Sequence, residues 1–317
     1  MAKVLFIGDT HLRFTNPARR IDNYFEEIKS LILQSFNIAK DRNCEAVVFL
    51  GDLFDKHDPH MQVINDIIDL FKIDNSTGSS WPFRIYAVIG NHDLKYHNTE
   101  MLDQTGLGVL SRTCIRIVNF IKKYSIFCGH YTRKIEFADF SNIEAKILAL
   151  HAYILPQYLA DFDRNSFMSI NEFKVNPMTK IVITGHYHDG YGIIKRGDGV
   201  VFVNSGALTR CSATESNITR DIKVTLIDTE SLEIEEIVLD FIPGEQIFDL
   251  IRIEEDQQKI VEKKELAMKL DQMRQEYREI SKEDPIDAFK EFAKGIEISD
   301  DALELVILTL EESKKEK

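Results

Sequence analysis

Cysteine is sparse in this sequence. Cys44, Cys114, Cys128 and Cys211 stand far apart and form no C-x-x-C pair, so nothing signals a disulfide framework or a thiolate zinc site. Long apolar runs are missing as well. The opening MAKVLFIGDTH has only the short stretch Val4 to Ile7 before Gly8 and Asp9, too little for a secretion signal or a membrane span. A cytoplasmic protein with no membrane partner is expected. No internal repeat or low-complexity tract is present, which argues against solenoid and fibrous architectures. A surplus of positive charge is absent too. The formal net charge is −13, the wrong sign for a protein that coats nucleic acid electrostatically. Much of the acidity sits late in the chain: residues 244–317 carry 21 acidic and 13 basic side chains, against 31 and 26 in residues 1–243.

What remains is a chain of 317 residues, 44% hydrophobic and 29% charged, enough for one large domain and an appendage. Apolar, β-branched runs at Val4 to Ile7, Ala46 to Leu50, Ile85 to Ile89, Ile147 to Leu150, Ile181 to Ile183, Val200 to Val203 and Val224 to Ile227 read as strands. Amphipathic stretches at Tyr24 to Ala39 and Met61 to Phe71 lie between the early ones and read as helices. Nearly continuous apolar runs imply strands buried on both faces, in an α/β fold with a sheet core flanked by helices.

The chemistry follows the strands. After successive runs come Gly8-Asp9-Thr10-His11, Gly51-Asp52-Leu53-Phe54-Asp55, Gly90-Asn91-His92-Asp93, His151, and Gly185-His186-Tyr187-His188. In open α/β sheets, ligands bind at the carboxyl ends of the strands. Nitrogen and oxygen donors without sulfur suit manganese, iron, zinc or magnesium. Asp9, His11, Asp52, Asn91, His151, His186 and His188 supply seven ligands. If Asp52 bridges, each of two ions receives four, the arrangement that activates water and polarises a phosphoryl oxygen. Two carboxylates against two divalent ions leave the site near +2, attractive to a phosphodiester even on an acidic protein. Gly129-His130 also follows an apolar run but finds no partner in the pattern, and a surface position is expected for it. His57, His60 and His97 read as loop residues.

The series GDTH, GDLFD, GNHD, His151 and GHYH resembles the calcineurin-like metallophosphoesterase superfamily over about residues 1 to 230. Protein serine/threonine phosphatases are similar, but they show G-D-x-x-D-R-G and G-N-H-E where this chain has Lys56-His57 after Asp55 and Asp93 after His92. The form Gly51 to Asp55 followed by Pro59 is closer to the SbcD family, which includes the meiotic-recombination-eleven nucleases of double-strand-break repair. Asn204 to Arg210 resembles that family's Pro-Gly-Ser-Leu loop, with Asn-Ser in place of the proline. Residues 131–146 match nothing in it.

The resemblance implies a β-sandwich in α-β-β-α layers with a small C-terminal helical segment. It implies one ion on Asp9, His11, Asp52 and His188, another on Asp52, Asn91, His151 and His186, and manganese as the preferred metal. His92 is similar to the family's catalytic histidine, and Asp93 is expected to orient it. The implied activity is 3′ to 5′ exonuclease and single-strand endonuclease cleavage of DNA in repair or recombination. A stand-alone phosphatase or cyclic-nucleotide phosphodiesterase is the alternative.

Residues 1–243 are expected to form the nuclease domain and 244–317 a helical tail. In the tail, Leu266, Leu270, Met273, Tyr277 and Ile280 form a heptad-like stripe too short for an independent coiled coil. Asp284-Pro285 and Ser299-Asp300-Asp301 open two short helices, a helix-loop-helix over 284–312. This resembles the segment with which SbcD-type subunits grip the coiled coil of an SbcC-type ATPase, and implies a homodimer within that complex. A hairpin folded back on the first domain is the other reading.

Overall fold

A computed structural model describes residues 2–280 apart from 75–76, 133–134, 136–137 and 160–166, and beyond them residues 290 and 306–308. The chain divides into two compact units, Met1–Leu250 and Ile251–Lys317.

The first unit is built on β1 (Lys3–Ile7), α1 (Tyr24–Asp41), β2 (Cys44–Phe49), α2 (Met61–Lys72), β3 (Arg84–Ala87) and the short α3 (Gly106–Ser111). There follow β4 (Phe120–Ile121), β5 (Ile126–Gly129), β6 (Ile147–His151), β7 (Ile154–Leu155), β8 (Met168–Ser169), β9 (Ile181–Gly185), β10 (Gly192–Lys195) and β11 (Val201–Asn204). It closes with α4 (Glu215–Thr219), β12 (Lys223–Asp228), β13 (Ile234–Val238) and α5 (Gly244–Ile247). Each of the seven expected apolar runs lies in or overlaps a strand, and both expected helices form. Asn23 caps α1 by accepting the Glu26 N–H, and the His60 ring accepts the Gln62 N–H at the start of α2.

Two sheets face each other. The first has the order β13-β12-β1-β2-β3 with β1, β2 and β3 parallel, and the second has β10-β11-β9-β6-β5-β4 with its four central strands parallel. Strand parity separates the layers. Val4, Phe6, Ala46 and Val48 point inward and pack with Ile147, Ala149, Ile181 and Ile183 of the other sheet. Their neighbours Leu5, Ile7, Val47 and Phe49 point outward under Ile28, Ile32 and Phe36 of α1 and Ile67 and Phe71 of α2. The outer face of the second sheet, Leu148, Leu150, Val182 and Phe202, lies under Ile135, Phe140, Ile154, Ile170 and Phe173.

The first unit runs somewhat past the expected division after residue 243. Ile247 accepts a hydrogen bond from Ile21 N–H, and the buried Phe248 ring lies 5.6 Å from the Arg20 guanidinium. In the second unit the helix α6 (Leu250–Ile280) covers the expected stripe, with Leu270 exposed. The helix-loop-helix expected over 284–312 lies outside the described residues except for 290 and 306–308. Among the described residues, no helix is long and apolar enough to cross a membrane.

Candidate metal centre

All seven candidate ligands converge beyond the carboxyl ends of β1, β2, β3, β6 and β9. The local backbone is unusual there. His11, Asp52 and His186 have φ of 41°, 44° and 81°, a left-handed conformation that residues with a Cβ rarely adopt and that concentrates at functional sites. Two glycines make the convergence possible. Gly51 has φ 107°, and a Cβ on it would meet His151 Nδ1 at 2.2 Å. A Cβ on Gly90 would stand 2.1 Å from the Asp52 amide nitrogen.

The donors form two triads that share Asp52: His11, Asp52 and His188, and Asp52, His151 and His186. His11 Nε2 lies 3.1 Å from His188 Nε2, and His151 Nε2 lies 3.1 Å from His186 Nδ1. Asn91 Oδ1 joins the second group, 2.9 Å from His151 Nε2. Asp9 accepts the His186 N–H on Oδ2 at 2.9 Å, and its Oδ1 stands 3.3 Å from His151 Nδ1. His151 Nδ1–H donates to the Leu50 carbonyl at 2.8 Å, which leaves Nε2 to face the centre. A further group, His11, Asp55 and His92, adjoins the first triad.

Asp9 Oδ1 and His11 Nδ1 are buried without a hydrogen-bond partner. Burial, reinforced by neighbouring imidazoles, pushes His11 and His186 down to about 3. Burial alone would suppress the charge of Asp52, but His151 and His11 more than offset it and hold the carboxyl far below the usual range. Burial would likewise lower His151, yet Asp52 and Asp9 raise it to about 9. Imidazole nitrogens at hydrogen-bond distance from one another, beside a buried carboxylate oxygen without a partner, form a donor set that divalent cations fit.

His92 is exposed at the mouth. Its ring lies edge-on to His11 at 4.8 Å, and its Nδ1–H donates to the Asp55 carbonyl at 2.7 Å. Asp93 is fully buried and faces the other way. It accepts the N–H groups of Phe54 at 3.1 Å and Gly90 at 2.9 Å, with Leu53 at 3.4 Å, and burial followed by the charge of Asp52 raises it to about 7. Among the described residues, the hydrogen bond that fixes the His92 ring comes from Asp55, not from Asp93.

Three other places were not legible beforehand. His130 is half-buried rather than a free surface residue: its Nδ1 accepts the Ile89 N–H at 3.1 Å, tying the chain just after β3 to the loop after β5. Tyr131 and Tyr153 wall the second triad, with ring centroids 6.2 and 5.5 Å from His186. Arg210 is 1% exposed, bound to Glu27 and the Ile242 carbonyl, while Ser205 Oγ bonds Thr225 and Glu236. That loop therefore supports the fold behind the centre. The second Asp of GDLFD was the one available sequence signal for Asp55.

Among curated proteins, the chain is 28% identical over 248 residues to the DNA double-strand break repair protein Mre11 of Methanosarcina acetivorans, covering 73% of this chain and 38% of that one. The protein of the same name from Methanosarcina mazei is 28% identical over 247 residues, covering 73% and 37%. The chain thus matches well under half the length of these relatives. A crystal structure of a dimetal phosphatase from Danio rerio aligns with TM-score 0.42 and 11% identity, covering 75% of this chain and 99% of that one. Residues 2–190, which hold every candidate ligand and the strands presenting them, match the calcineurin-like phosphoesterase family, and the chain belongs to it.

Proposed function

We propose that this phosphoesterase is a DNA nuclease that works with two divalent ions, manganese preferred, and cuts as a 3′ to 5′ exonuclease and single-strand endonuclease. The observation that carries the reading is the sharing of Asp52 by two donor triads. Asp9, His11, Asp52 and His188 would hold one ion and Asp52, Asn91, His151 and His186 the other. When bound, such a pair supplies Lewis-acid polarisation of the phosphoryl group and activation of water at neutral pH. The chain supplies the rest. Because the Asp55 carbonyl takes the Nδ1–H of His92, Nε2 is free to protonate or stabilise the leaving 3′ oxygen. Asp93 acts on His92 indirectly, by fastening the turn that carries it to residues 53–54.

DNA as substrate is supported by the name of the two Methanosarcina relatives. The tail from residue 244 would serve an SbcC-type coiled-coil ATPase, in a complex containing two copies of this chain. The test compares turnover of single-stranded and plasmid DNA with that of p-nitrophenyl phosphate in manganese. DNA cleavage that depends on His92 is expected. Efficient hydrolysis of the monoester with no cutting of DNA would overturn the nuclease reading in favour of a phosphatase.

A further inference from the structure

Arg13 stands two residues past His11 and differs from the arginines behind the centre. Arg20 and Arg210 are buried, and their N–H groups go to Glu27 and to backbone carbonyls. Arg13 keeps 26% of its side chain exposed. Its Nε–H donates to the Thr15 carbonyl at 2.9 Å, its Nη1 donates to Asp55 Oδ2 at 3.0 Å, and its guanidinium lies 5.7 Å from the centre of the Tyr24 ring. Tyr24 is itself buried, with its hydroxyl bonded to the His11 carbonyl at 3.0 Å. Among the described residues, Nη2 of Arg13 has no hydrogen-bond partner. A guanidinium held at three points with one nitrogen free is fixed before any ligand arrives, and its fork suits phosphate oxygens.

Asp55 places this group beside the centre. Its other carboxylate oxygen stands 3.9 Å from His11 Nδ1, and its backbone carbonyl accepts the His92 Nδ1–H at 2.7 Å. One residue thus meets the guanidinium with its side chain and the His92 imidazole with its main chain. Arg13 therefore lies on the His92 side of the centre, where the leaving 3′ oxygen is released. That oxygen belongs to the nucleotide on the 5′ side of the cut, whose own phosphate is the next one along the strand.

Charge gives a single cation weight here. Residues 1–243 carry 31 acidic against 26 basic side chains, so the first unit has no general surplus of positive charge with which to hold a strand, and fixed individual contacts have to position its phosphates. The ion pair with Asp55 orients the guanidinium and leaves Nη2 open. We propose that Arg13 binds, through Nη2, the phosphate on the 5′ side of the scissile one and so holds the retained strand against the metal centre. The inference rests on the nuclease reading and adds to it the feature recognised: a second charged phosphate next to the bond that is cut.

The test uses the full chain in manganese and two fluorescein-labelled oligothymidylates that differ at one position. In the first, every linkage is a phosphodiester. In the second, the linkage next to the 3′-terminal one is a neutral methylphosphonate. Wild type should make the first cut in the second strand with kcat/KM at least roughly tenfold lower, the effect of losing one charge-assisted hydrogen bond. R13A should cut the charged strand no faster than wild type cuts the neutral one, and should not distinguish the two. R13K, which keeps the charge without the fork, should retain part of the difference. Melting temperature and ion content verify that the variants are folded and loaded. Equal first cuts of the two strands by wild type would overturn the contact, and need no variant. So would an R13A protein that is slower on both strands yet still prefers the charged one, because Arg13 would then act only through Asp55. If wild type cuts the charged strand while these comparisons fail, only the Arg13 contact falls; if it cuts neither strand, the nuclease reading falls with it.

Discussion

The first sheet brings Asp9, His11, Asp52, Asn91 and His92 to the rim, and the second brings His151, His186 and His188. Every ligand carboxylate thus stands on one sheet and three of the four ligand imidazoles on the other. Neither sheet carries a complete donor set, so the centre exists only when the sandwich closes. The covers differ as well. The first sheet lies under two amphipathic helices, α1 and α2. The second lies under a segment of turns and two-residue strands whose apolar residues, such as Phe140 and Phe173, recur with no helical period. Regular cover can be read from spacing. Irregular cover has to be seen.

The sharpest way to break this comparison is Asp52→Ala. It removes the residue common to both triads, so both ions and all measurable turnover should be lost, whereas His186→Ala should lose only the ion of its own triad. Atomic emission on the purified proteins reads the difference, and two ions retained by Asp52→Ala would sink the shared-ligand assignment. His92→Ala comes next. It should keep both ions and lose roughly 10²–10⁴-fold in turnover, the usual contribution of a general acid. Loss of metal in that variant would make His92 a ligand instead.

The covers can be compared by truncation of buried rings. Phe36→Ala empties a site surrounded by Phe49, Phe71, Trp81 and Phe83, with centroids 5.2 to 6.3 Å away. It should cost about 3–5 kcal/mol by urea unfolding. Phe140→Ala, beside Phe127 and Phe173, should fall at or below the low end of that range, because an irregular segment collapses more readily into the gap. The reverse order would mean that the second cover is the more tightly packed.

The smallest effect concerns the seam at His130. Burial lowers its pKa to about 4, so the unfolded chain takes up the proton first and stability falls as pH drops from about 6.5 towards 4. His130→Asn can still accept the Ile89 N–H but cannot titrate. The wild type should therefore lose about 1–2 kcal/mol more than the variant between pH 7 and pH 4.5. Parallel pH profiles would show that the ring is not enclosed in solution.

Much of the centre was legible because its signals are local. A buried strand ends in a glycine, and a hard ligand follows within one or two residues. That repeats at Asp9, Asp52, Asn91 and His186, and each instance is visible within a few positions of the chain. His130 shows the limit of the same pattern. Gly129-His130 imitates a ligand turn, and nothing nearby in sequence says that its partner is the amide of Ile89, forty-one residues earlier. Asp93 shows another. Adjacency to His92 suggested a direct contact, but successive side chains diverge, so its oxygens reach the turn at 53–54 while the carbonyl of Asp55 meets the imidazole.

Short spans of the chain were enough to specify the strands, the two long helices, the identity and order of the seven converging donors, and their hard, sulfur-free chemistry. These depend on side-chain period and residue type over short spans, where backbone sterics and hydrophobic burial act directly. Folding in three dimensions was needed to put Asp52 between two triads, to let Asp55 rather than Asp93 fix His92, and to bury Arg210 behind the centre. Those relations join residues from strands of different sheets. They arise from the register and closure of the sandwich, which depend on packing across the whole core and leave no periodic trace along the chain.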